Sequence, residues 1–72
     1  MDIRMETAII VEKDGRFLAG RSLVTGELIW RNSPYDAWKT RRRDKALIVA
    51  DKVAGNRMLF NPAAGQLRRL AT

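Results

Sequence analysis

The chain has 72 residues, 46% of them hydrophobic and 31% charged, a balance that excludes disorder throughout and leaves apolar material for one small core. There is no cysteine and no histidine, which excludes a disulfide framework, a thiolate zinc site and the commonest general base. Fourteen Lys and Arg against eight Asp and Glu give a net charge of +6. Ten of those fourteen are Arg, the residue suited to bidentate contact with phosphate or carboxylate, so the expected partner is anionic.

In chain order, Met5 is a second candidate start, and the first few residues are expected to fray. The apolar run from Ala8 to Val11 is too short for a signal-peptide core or a membrane span, and the expected compartment is a reducing cytoplasm. Residues Thr7 to Lys13 read as a strand, and Asp14-Gly15 as a two-residue hairpin turn with positive φ. Arg16 to Arg21 forms the returning strand, weakened at Gly20. Leu23-Val24-Thr25-Gly26 is a second turn, and Glu27 to Arg31 a third strand with Leu28 and Trp30 on one face and Ile29 on the other.

Asn32-Ser33-Pro34-Tyr35-Asp36 is a connector, since Pro34 cannot donate to a ladder. Thr40 is the expected N-cap of a helix running to about Ala54, with Ala46, Leu47, Ala50, Val53 and Ala54 as its apolar stripe and Gly55 as its end. Arg57 to Asn61 returns to strand character, and the turn Asn61 to Gly65 precedes a fifth candidate strand from Gln66 to Leu70. If Arg68 and Arg69 lie in that strand, they point to opposite faces.

The sum is a single α+β domain, β-β-β-α-β, with a small antiparallel sheet of three to five strands and one helix packed on one face. The expected core is Ile9, Val11, Phe17, Leu28, Trp30, Leu47, Ala50, Val53, Met58 and Phe60. The other sheet face is left open to water, to a second copy of the chain or to a ligand.

The carboxylates are scattered, with no pair spaced as an acid/base dyad or an oxygen-rich metal cage, and no glycine run precedes the helix. The expectation is a binding protein without enzymatic activity, metal or cofactor. The segment Lys39-Thr40-Arg41-Arg42-Arg43-Asp44-Lys45 stands apart. Cations in a first helical turn oppose the helix dipole, so Lys39, Arg41, Arg42, Arg43 and Lys45, extended by Arg57, are candidates for gripping phosphates or an acidic partner. Tyr35 and Trp38 are candidate stacking surfaces for unpaired bases. The competing reading makes the Arg run a solvated helix face, and burial tendencies favour Trp38 and Trp30 as core residues. Tyr35 is either an exposed anchor for a protein partner or a cap on the sheet end.

The Asp-Gly hairpin, the Thr25-Gly26-Glu27 turn, the run Ser33 to Trp38, the short helix closed by Gly55 and the segment Phe60-Asn61-Pro62 together resemble small proteins encoded by bacteriophages and prophages. That resemblance implies either a DNA-binding accessory protein or an inhibitor of host defence, of anti-CRISPR type, that acts by protein–protein binding. The layout is also similar to the three-stranded-sheet-plus-helix DNA-binding domains of integrase amino-terminal and plant AP2 type, which read the major groove with the sheet. It departs from them in carrying its basic cluster at the helix start.

Overall fold

A computed structural model describes residues 7–70. The expected fraying of the first residues lies outside that range. Five strands, β1 (Ala8–Lys13), β2 (Arg16–Arg21), β3 (Leu28–Arg31), β4 (Asn56–Asn61) and β5 (Gln66–Arg69), form one antiparallel sheet in the order β3-β2-β1-β4-β5. One helix, α1 (Arg43–Val53), crosses from β3 to β4, and a 3-10 turn (Pro34–Asp36) precedes it. The fold is a small α+β one, with the fifth strand present.

Asp14 (φ 53) and Gly15 (φ 80) both take positive φ, the pair of values that a right-twisted two-residue hairpin needs. Glu12 supports the turn by accepting from the Gly15 N–H at 2.9 Å. The β2–β3 connection is held by Ser22, whose hydroxyl accepts from the Val24 and Thr25 N–H groups, and Gly26 closes it at φ 75. The pairing of β2 with β3 shifts between Leu18 and Gly20, a bulge that swings the end of β2 away from β1.

The connector fills the gap so opened. Trp38 donates its N–H to the Leu18 carbonyl at 2.8 Å, while Thr40 accepts from the Ile9 N–H at 2.8 Å and donates to the Ile9 carbonyl at 3.0 Å. The chain thereby passes between β1 and β2. Ala37 packs on one sheet face with Ile10, Phe17 and Phe60, and Trp38 on the other with Val11, Leu18 and Ala50. The face opposite the helix is therefore covered in part. Tyr35 meets the Phe60 ring edge-on at 4.9 Å and donates its hydroxyl to the Pro62 carbonyl, tying the connector to the β4–β5 turn.

Covering on both sides explains why Ala8, Ile9, Ile10 and Val11 are buried in succession. Ile9 and Val11 face α1; Ile10 faces the connector. Each fully buried apolar side chain, of which Ile10, Val11 and Phe60 are the largest, stabilises the fold by about 1.5–3 kcal/mol over its exposed state.

The helix approaches β1 through Ala46 and Ala50, both buried, because residues this small let the two backbones come close, with Val49 and Val53 packed alongside. Leu47, expected in the core, is 53% exposed, since the alanine stripe and not the leucine faces the sheet. Leu28, also expected there, is 37% exposed on edge strand β3. The helix starts later than expected. Thr40 is committed to Ile9, and its hydroxyl accepts from the Arg42 N–H at 3.2 Å, so Arg42 takes the N-cap position without a side-chain cap. At the other end Ala54 is left-handed (φ 55), and Gly55 donates to the Ala50 carbonyl. Among the described residues no helix is long and apolar enough to cross a membrane.

Candidate functional site

The seven-residue basic segment is dispersed by the fold. Lys39 turns back on the connector, donating through Nζ to the Tyr35 and Ala37 carbonyls at 3.0 and 3.1 Å. Arg41 lines a shallow hollow with Ala8, Lys39 and Thr40. Arg42 pairs with Asp44 at 3.0 Å, both side chains exposed. The hydrogen bond from Arg42, with the Lys45 backbone N–H behind it, holds the Asp44 carboxyl below its ordinary range. Asp44 thus supplies the first-turn negative charge that the helix dipole favours.

Arg43 and Lys45 part company on the helix. At 3.6 residues per turn, Arg43 falls on the flank of Leu47 and Ala54, toward β4 and β5. Lys45 falls on the flank of Val49 and Lys52, toward β2. The two flanks border different hollows. On the β4–β5 side, Arg57 and Arg69 line a hollow of about 260 Å³ together with Asp51, Asn56, Leu47 and Leu70. Arg57 is opposite Val11 in the sheet and half-buried, so it sits beside the second half of α1 and not beside its start.

On the β2 side, Lys45 and Lys52 from α1 and Arg21 from β2 line a hollow of about 310 Å³. Its apolar lining comes from Leu18, Leu28, Trp38 and Val49, and no carboxylate is among the lining residues. Past Leu28 and Val53 the groove continues into a second hollow, of about 480 Å³, reached by Lys13, Arg16, Asp14 and Trp30. Lys13 is engaged there, donating to the Val53 carbonyl at 3.1 Å, where a cation suits the helix C-terminus.

Of the residues singled out from the sequence, only Lys45 and Trp38 reach this groove. Trp38 is half-buried and packs with Val11, Leu18 and Ala50, so it is a core residue with part of its surface in the groove lining. Tyr35 is 51% exposed but braces the opposite face against Phe60. Arg21 and Lys52 were not singled out. Lys52 was legible as the residue seven places from Lys45 on one helix face, whereas Arg21 reaches the groove only through the bulge that precedes it.

Arg68 and Arg69 pair with Leu59 and Met58, which lie on opposite sheet faces, so the two arginines diverge as expected. Among the described residues no three Asp or Glu side chains gather at metal-binding spacing. The chain matches no family model, no curated protein and no solved structure.

Proposed function

We propose that the protein binds nucleic acid without catalysing a reaction, holding phosphates along the groove between α1 and the β2–β3 arm. The observation that carries this reading is the convergence of Arg21, Lys45 and Lys52 on one hollow with no carboxylate in its lining. Solvated surface charge on a folding-only protein is usually mixed in sign; here three cations from two elements share one concave surface. Arg16 extends the groove, and Arg43 adds positive charge in the first turn of the helix. Such a surface attracts a polyanion without sequence choice. The lack of histidine and cysteine supports a binding role over a catalytic one. The test is binding to labelled single- and double-stranded oligonucleotides at two salt concentrations. Tight binding at low salt that weakens steeply with added salt supports the proposal, and no binding at low salt by the folded protein removes it.

One observation favours a protein partner instead. Leu23 and Val24, at the tip of the β2–β3 loop, are 102% and 93% exposed, on a turn that Ser22 and Thr25 hold with five hydrogen bonds. Two aliphatic side chains presented on an ordered tip suit insertion into an apolar pocket, as an inhibitor of a host nucleoprotein would use them. Under that reading, changing both to Ser abolishes capture of the partner and leaves oligonucleotide binding intact.

A further inference from the structure

Resting on the nucleic-acid reading, we propose that the hollow between α1 and β2 takes one unpaired base, so that the protein binds single strands in preference to duplexes. Three features of the hollow argue for this occupant. It is small: about 310 Å³ is at the low end of small-molecule pockets, room for a single base. Its lining is apolar at Leu18, Trp38 and Val49, a surface that gains nothing from phosphate alone but does gain from covering the face of a base.

Third, its cations lie on both sides. Lys45 and Lys52 are seven residues apart on α1, about 10 Å along the axis, and Arg21 stands across from them on β2. An anionic backbone crossing the mouth meets positive charge on either wall while its base points inward. A duplex has its bases stacked and paired, and must extrude one before the hollow can be filled. Phosphate contact alone favours the more densely charged duplex; a filled hollow reverses that order.

The test compares a single strand of about twelve nucleotides with a duplex of the same length at low salt, by fluorescence anisotropy. The parent protein is expected to bind the single strand about tenfold or more tightly, the gain that one enclosed base supplies. Leu28→Trp, which fills the hollow from the partly exposed edge strand β3, is expected to abolish the preference for the single strand. A measurement on the parent alone complements it: thymidine monophosphate should shift the methyl resonances of Leu18 and Val49. Equal affinity of the parent for the two forms overturns the base-binding proposal while leaving the nucleic-acid reading intact, as does a mononucleotide that leaves those methyls unmoved. Absence of binding to either form removes both.

Discussion

Thr40 and Ile9 exchange both of their backbone hydrogen bonds, at 2.8 and 3.0 Å, at the place where β2 has turned away from β1. This single bridge sets where the helix begins and joins the connector to the central strand. Thr40→Pro removes the donor to the buried Ile9 carbonyl, and an orphaned acceptor costs about 1–3 kcal/mol. Thr40→Val keeps the bridge and loses only the hydroxyl's bond to the Arg42 N–H, so it is expected to cost about 1 kcal/mol or less. Urea unfolding of the two variants checks the order.

The end of α1 gives a pair of substitutions with opposite signs. Ala54 holds a left-handed backbone at φ 55, which costs an L-residue about 1 kcal/mol, so Ala54→Gly is expected to raise stability by up to that amount. Gly55 is needed for space. A Cβ there would come within 2.7 Å of Val11 Cγ1 and 3.1 Å of the Glu12 carbonyl, both on the central strand, so Gly55→Ala is expected to destabilise by about 1–3 kcal/mol. Thermal melts of both variants test the contrast.

Asp44 is expected to titrate below an ordinary Asp, chiefly because Arg42 donates to its carboxylate. Its stabilising effect is then complete above the range where a free Asp titrates and is lost as the pH falls through the lowered value. Asp44→Asn should differ from the parent at neutral pH and converge with it in acid. An NMR titration of the Asp44 carboxyl reads the effect directly, and Arg42→Gln should move that titration upward.

Leu23 and Val24 make no buried contact, so changing both to Ser is expected to leave the unfolding midpoint within about 0.5 kcal/mol of the parent in free-energy terms. A larger loss would mean that the tip contributes to the fold and is not a presented surface.

The strands were readable because they announce themselves locally: Asp14-Gly15 dictates a primed turn, and the β-branched run before it has nowhere to go but a strand. The helix start was not readable. Thr40 has the chemistry of an N-cap, and only its pairing with Ile9, thirty-one residues earlier, takes it out of that role. Apolar spacing puts Leu47 in the core, but which stripe of a helix faces a sheet depends on how close the backbones come, and Ala46 with Ala50 permits the closer approach. The candidate site followed the same pattern. Contiguity in sequence grouped Lys39 through Lys45, whereas the fold splits Arg43 from Lys45 across the helix and joins Lys45 to Arg21 through a bulge.

The most direct test is the salt dependence of oligonucleotide affinity for the parent, for Arg21→Gln/Lys45→Gln/Lys52→Gln, and for Arg57→Gln/Arg69→Gln at the β4–β5 end of the sheet. If the β2-side groove holds the phosphates, the triple variant binds more weakly at low salt and its slope of log affinity against log salt is shallower by about 2–3, while the double variant keeps the parent slope. A triple variant with the parent's affinity and slope, or a loss confined to the Arg57/Arg69 variant, would contradict it.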